Sequence, residues 1–293
     1  MRRNAPRHVV SCRLNATRVG ATDQGDGMAD GSVAIGATVR AGFAGLGPSV
    51  RACWAALLVA VALSTVGQLL PPAITGLSLL TELAAAIVAC GALYRRAFGR
   101  AAGFSGLRWG QDEWRLLAAQ LLIGALFLLV LAILAVVVGG IALGVATTNA
   151  PGFDVTSSEA WQAALDGVSV GTILAGLAPL LSLALLLWLA ARLSLAGPAS
   201  VDQAGVKVLS AFSLTKGATP QILASALILA APVVLLIALS SLVGRWTGPG
   251  FGAPLAVLGA AFAYFYLVPV WTGALVDLYR RRHAPAASPV RNP

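Results

Sequence analysis

Histidine is nearly missing from this chain. Two occur in 293 residues, His8 and His283, and neither lies within a long apolar run. That removes the usual general base, the usual imidazole metal ligand and any Ser–His pairing from the interior. The patterns HExxH, CxxC and GxxxxGK[ST] do not occur either. The sequence therefore predicts no catalytic centre, no metal site and no cofactor, and the chain reads as a non-enzyme. Cysteine is equally sparse. Cys12, Cys53 and Cys90 are an odd number at irregular spacing, which makes neither a disulfide framework nor a metal site. Cys53 and Cys90 read as small buried apolar residues. Charge is the third scarcity. Charged residues make up 11% and hydrophobic residues 58%, against roughly 25% and 45–50% in soluble domains. A chain this apolar has too little polar surface to cover a water-soluble fold.

What it has instead is six long apolar runs, roughly 51–70, 76–95, 116–144, 169–195, 219–243 and 252–278. Each is long enough to cross a hydrocarbon core of about 30 Å at about 1.5 Å per helical residue. If the chain threads a bilayer six times from a cytoplasmic N-terminus, 19 of its 20 Lys and Arg fall on the cytoplasmic side, and Arg245 alone falls outside. That is the positive-inside pattern. The expected fold class is an all-α polytopic membrane protein with six transmembrane helices and amphipathic cytoplasmic interfacial segments. Both termini are expected in the cytoplasm, and the expected location is a bacterial inner membrane. Arg outnumbers Lys 18 to 2, a bias that fits a GC-rich bacterial genome. The net charge of +9 borders the spans rather than forming a stripe interleaved with aromatics. It predicts contact with anionic lipid head groups and no nucleic-acid partner.

Three parts follow along the chain. Residues 1–30 are polar and basic with no apolar period, and are expected to be disordered; Met28 offers an alternative start. Residues 31–282 form the six-helix domain, and 283–293 a disordered tail. Within the domain, Ile35, Val39, Phe43 and Leu46 lie on one helical face and predict a short amphipathic helix on the inner leaflet. Pro71-Pro72 mark a tight outer turn between the first two spans. The loop 147–168 holds Asp154, Glu159 and Asp166 and no Lys or Arg, the composition of an outer face. Ser157-Ser158-Glu159 predicts a capped short helix there. Pro198 is expected to break the helix after the fourth span, with an interfacial helix over 203–216 and Gly217 as its cap. Leu93-Tyr94-Arg95-Arg96 is repeated as Leu278-Tyr279-Arg280-Arg281.

Few polar residues lie inside the spans. Glu82 is the carboxylate well within one, and ionisable residues at such depth are costly. The hairpin brings Ser64, Thr65 and Gln68 to a similar level. Two readings stand: a glutamate hydrogen-bonded across the hairpin as structural glue, or a proton or cation site. Gln120 is placed to bond across helices. Arg192 and Asp277 lie near the cytoplasmic ends of the fourth and sixth spans and are expected to form an interfacial ion pair.

The stretches Arg192-Leu193-Ser194-Leu195-Ala196-Gly197-Pro198 and Ala211-Phe212-Ser213-Leu214-Thr215-Lys216-Gly217, with GALYRRAFGR and LRWGQDEWRLLAAQLL, resemble a group of bacterial membrane proteins. These are the membrane domain of glycerophosphoryl diester phosphodiesterase and its stand-alone relatives. The resemblance covers about 33–282. It implies a six-helix membrane domain with amphipathic cytoplasmic segments and no catalytic residue inside it. In the enzymes that name the group a separate soluble barrel does the hydrolysis; here a short tail follows the sixth run, so phosphodiesterase activity is not expected. The functional expectation is a scaffolding or envelope-maintenance role, with a small transporter or channel built around Glu82 as the alternative.

Overall fold

The computed structural model describes residues 35–100, 103–150, 152, 154–165, 170–247 and 252–283. The terminal segments expected to be disordered, 1–30 and the tail beyond His283, lie outside the described residues, as does Asp166. The described chain is helical, and six helices are long and apolar enough to cross a membrane. The elements are α1 (Ile35–Leu69), α2 (Thr75–Ala97), α3 (Gln111–Asn149), α4 (Ser158–Leu165), α5 (Val170–Leu193), α6 (Ala196–Asp202), α7 (Ser210–Leu214), α8 (Thr219–Thr247), α9 (Gly252–Phe262), a π-helical turn (Ala263–Leu267) and α10 (Val268–His283).

The centre of the bundle is α1 packed on α2 and on the π turn and α10. The α1–α2 seam is made of small residues. Cys53, Ala56, Ala60, Ser64 and Gly67 follow one stripe of α1, and all are buried. Ala85, Ala89 and Ala92 follow the facing stripe of α2. Spacings of three and four keep such residues on one helical face. In lipid no hydrophobic force drives helices together, so close backbone approach through small side chains supplies the attraction. The turn between these helices forms as the two prolines require, with the Ile74 N–H donating to the Pro71 carbonyl at 3.0 Å.

The segment expected to be a separate interfacial helix is instead the first arm of α1. The arm joins the span through a break at Cys53, where φ is −116° and ψ is 16°. It stays with the bundle because Gly42 lies directly on α10: a Cβ built there would sit 2.7 Å from the Val270 carbonyl and 3.4 Å from Ala274.

Beyond this centre, α3, α5 and α8 are far less covered. From Gln120 to Val145 no residue of α3 is buried, and Val136 is 75% exposed. Leu180 and Leu181 of α5 and Leu227 and Ile237 of α8 are also exposed. These faces are apolar all round, which is what contact with acyl chains demands. α3 has 39 residues, about 58 Å at 1.5 Å each, so it tilts or projects beyond a core of about 30 Å. It continues unbroken through Gly139-Gly140.

Two loop expectations resolve differently. α4 is capped as its sequence predicts, with the Ser157 hydroxyl accepting from the Ala160 N–H at 3.2 Å. Just before it, Asp154 accepts from the N–H and hydroxyl of Thr156, which hold its carboxyl below the usual carboxylate range. After α5 the pattern differs. Pro198 does not prevent a helix but lies in the first turn of α6, where a missing N–H costs nothing. The helix expected over 203–216 shrinks to the five residues of α7. Ala204, in the left-handed region at φ 52°, interrupts it.

The helix ends that carry the basic residues converge at one end of the bundle. Arg100 of the α2–α3 loop donates to the Asp202 carbonyl at 3.1 Å. Tyr279 of α10 donates to Asp202 Oδ2 at 2.8 Å. Arg280 donates to the Ala97 carbonyl. We call this the basic end.

Candidate functional site

Glu82 lies on the α2 stripe that also carries Ala85, Ala89 and Ala92, so the helix turns its carboxyl toward α1. There Ser64 donates to Oε1 at 2.7 Å. Gln68, one turn further on, donates to the Ser64 hydroxyl at 3.1 Å. Tyr264 donates to the other carboxylate oxygen, Oε2, at 3.4 Å. Glu82 therefore faces protein, with partners from two other spans.

Tyr264 is the residue that sequence reasoning missed. It is 182 positions from Glu82, and it reaches the carboxylate from the π turn. The turn has a local cause. Pro269 has no N–H for the ordinary i→i−4 bond, and its ring crowds the preceding turn. The ladder widens instead, and the Val268 N–H donates to the Ala263 carbonyl. This re-aims two tyrosines: Tyr264 toward Glu82, and Tyr266 toward the Leu229 carbonyl of α8 at 3.3 Å. A proline shortly after paired tyrosines in an apolar run was the available signal.

Thr65 does not join this cluster. Its hydroxyl is buried with no hydrogen-bond partner among the described residues, because residue 65 falls one position off the stripe that carries Ser64. The expected Arg192–Asp277 pair does not form. Arg192 donates to the Phe212 carbonyl of α7 at 3.2 Å and lies 5.1 Å from the centroid of the Trp188 ring. Asp277 pairs with Arg281 at 2.8 Å, four residues along its own helix. Each side chain has a nearer partner: a helix-end carbonyl for one and an i,i+4 neighbour for the other. Gln120 makes no side-chain hydrogen bond among the described residues; it lines a cavity of about 330 Å³ with Cys90, Tyr94, Phe127, Trp271 and Thr272.

At the basic end a second polar centre emerges. Arg95 of α2 and Glu113 of α3 form an ion pair in which the two residues are 3% and 1% exposed. Gly91 leaves room for it, since a Cβ there would sit 2.6 Å from Glu113 Oε1. Arg95 also donates to the Gly106 carbonyl at 2.8 Å, and Glu113 Oε2 accepts the Gly110 N–H at 2.8 Å. The repeated Leu-Tyr-Arg-Arg motifs both grip α6. Tyr94 packs so close to Gly197 that a Cβ there would lie 2.9 Å from its hydroxyl, while Tyr279 holds Asp202.

Fold and polar centres together define an all-α polytopic membrane protein, tied by one carboxylate network inside the hairpin and one buried ion pair at its basic end. Comparison with known proteins finds no matching family, no matching curated protein and no matching solved structure.

Proposed function

We propose that this chain is a non-catalytic, multi-pass protein of a bacterial cytoplasmic membrane, with a scaffolding or envelope-maintenance role. In this reading both termini and the basic end face the cytoplasm, in contact with anionic head groups. It is further proposed to be a stand-alone relative of the glycerophosphoryl diester phosphodiesterase membrane-domain group. The observation that carries the non-catalytic reading is the use made of Glu82. Both carboxylate oxygens accept from neighbouring helices, so the costly group inside the span ties helices together.

The same contacts favour a second reading. A carboxylate met by a phenol from a π turn is also how a proton or cation site in a small transporter would be assembled. Glu82→Gln separates the two. As glue, the amide keeps an acceptor for Ser64, and the stability measured by unfolding in detergent changes by less than about 1 kcal/mol. Glu82→Leu leaves the hydroxyls of Ser64 and Tyr264 without this acceptor and costs about 1–3 kcal/mol. As a transport site, Glu82→Gln instead abolishes a pH- or ion-dependent flux into reconstituted vesicles. Such a loss would replace the scaffolding reading.

The orientation has its own test. In a cysteine-free background, Ser158→Cys is expected to react in intact spheroplasts with a membrane-impermeant maleimide. Lys207→Cys is expected to react only after lysis. Both positions are exposed. The reverse pattern would invert the protein.

A further inference from the structure

The buried ion pair opens onto a cavity of about 440 Å³ at the basic end. Arg95, Arg100, Arg108 and Arg115 line it, together with Asp112, Glu113 and the first residues of α3. The volume falls within the range of about 300–1,000 Å³ typical of small-molecule sites. Four guanidinium groups face two carboxylates, which leaves two positive charges unbalanced in one concavity. The carboxylates are already engaged. Glu113 is held by Arg95, and one oxygen of Asp112 is shared by Arg100 at 2.7 Å and Arg115 at 3.2 Å. Arg108 makes no ion pair or hydrogen bond among the described residues, and it lines the cavity nonetheless. Nε of the nearly fully buried Arg95 has no hydrogen-bond partner among the described residues either. Like charges collected with spare donors are a costly arrangement unless an anion completes it.

The surroundings say where that anion comes from. Trp109 and Trp114 flank the cavity in sequence, pack edge to face at 5.7 Å, and are 48% and 60% exposed. Phe104 is 73% exposed and stands 6.5 Å from Trp54. Exposed indoles and phenyl rings beside arginines mark the head-group level of a membrane. The dipole of the long helix α3, whose N-terminus lines the cavity, favours negative charge at the same place.

We propose that this cavity is a binding site for a phosphate group, supplied by an anionic phospholipid whose head group enters from the adjoining leaflet. Arg108 is the residue free to close on the phosphate, while Arg95, Arg100 and Arg115 are held in position by their carboxylates. Bidentate guanidinium–phosphate bonding accounts for arginine at position 108. The proposal rests on the membrane reading above, and it adds a discrete site to the general attraction of a basic face for anionic lipid.

The test uses the full-length protein in nanodiscs of phosphatidylcholine alone or with added phosphatidylglycerol. Binding of short-chain phosphatidylglycerol is measured by native mass spectrometry, and inorganic phosphate and glycerol phosphate are titrated in parallel. Three proteins are compared: the unaltered chain, Arg108→Gln and Lys207→Gln, the last removing an exposed charge that does not line the cavity. The expected result is at least tenfold selectivity for phosphatidylglycerol over phosphatidylcholine, reduced about tenfold by Arg108→Gln and unchanged by Lys207→Gln. Arg108 is exposed, so its replacement leaves the fold intact. Equal losses in the two variants would overturn the site while leaving a diffusely basic face. Binding of phosphate or glycerol phosphate as tight as that of the lipid, and equally sensitive to Arg108→Gln, would support the phosphate site but overturn the lipid as its source. No selectivity in the unaltered chain would overturn the proposal outright.

Discussion

Glu113→Ala is expected to lower the stability of the purified protein by about 3–5 kcal/mol, the range for removing one partner of a buried ion pair. The magnitude follows from burial. A surface pair is worth about 0–1 kcal/mol, whereas Arg95 and Glu113 are 3% and 1% exposed. Alanine leaves a nearly fully buried guanidinium with its counter-charge gone. It also releases the Gly110 N–H, which Glu113 accepts at 2.8 Å at the start of α3. Replacing both partners, Arg95→Met with Glu113→Leu, removes the uncompensated charge and is expected to recover part of the loss. Recovery stays incomplete because the Gly106 carbonyl and the Gly110 N–H then lack their side-chain partners, at about 1–3 kcal/mol for each one left buried and unmet. Equilibrium unfolding in detergent, read by circular dichroism, measures the series. A loss below about 1 kcal/mol for Glu113→Ala would show that water or another group replaces the carboxylate.

Gly106→Ala is expected to cost about 2–5 kcal/mol, from two sources. Gly106 has φ +86°, in the left-handed region where an L side chain is strained by about 1–2 kcal/mol. A Cβ there would also lie 3.1 Å from the Cys53 Cα and 3.1 Å from the Ala92 Cβ. The first of these is backbone and cannot rotate away. Overpacking of this kind costs about 1–3 kcal/mol. Gly99 separates the two effects. Its φ is +67°, but a Cβ there would meet nothing within 4 Å. Gly99→Ala should therefore show the backbone cost alone. Equal losses at the two glycines would mean that the loop moves away from the break in α1 without penalty.

Both variants act at the basic end, which was also the part of the molecule least legible in the sequence. Asp112 and Glu113 read as ordinary first-turn acids, and the arginines of the α2–α3 loop as topology signals. Nothing local marks Arg95, rather than Arg96 beside it, as the residue turned inward. That choice depends on the rotation of α2 against α3 and on Gly91, which leaves room for the carboxylate. The Glu82 cluster was more legible. Its depth, its hairpin and its partner Ser64 follow from helical spacing and a short turn. Depth alone does not separate Thr65 from Ser64, although consecutive residues on a helix point about 100° apart. Tyr264 required knowing that the sixth span returns beside the first two, and that Pro269 widens its helix.

The sequence by itself determined that this is an all-α membrane protein, where five of its six long apolar helices begin and end to within several residues, and which ends carry positive charge; the first helix starts at Ile35, well before the expected 51. These properties rest on apolar length and on residue chemistry, which need no partner to be defined. Only the tertiary structure decided which polar groups meet: Glu82 with Tyr264, Arg95 with Glu113, and Arg192 with a carbonyl of α7 instead of Asp277. Between apolar helices many rotations bury similar area. Small residues at the contacts, a proline in the sixth span and a positive-φ glycine in a loop select one of them, and their effect is visible only once the helices are packed.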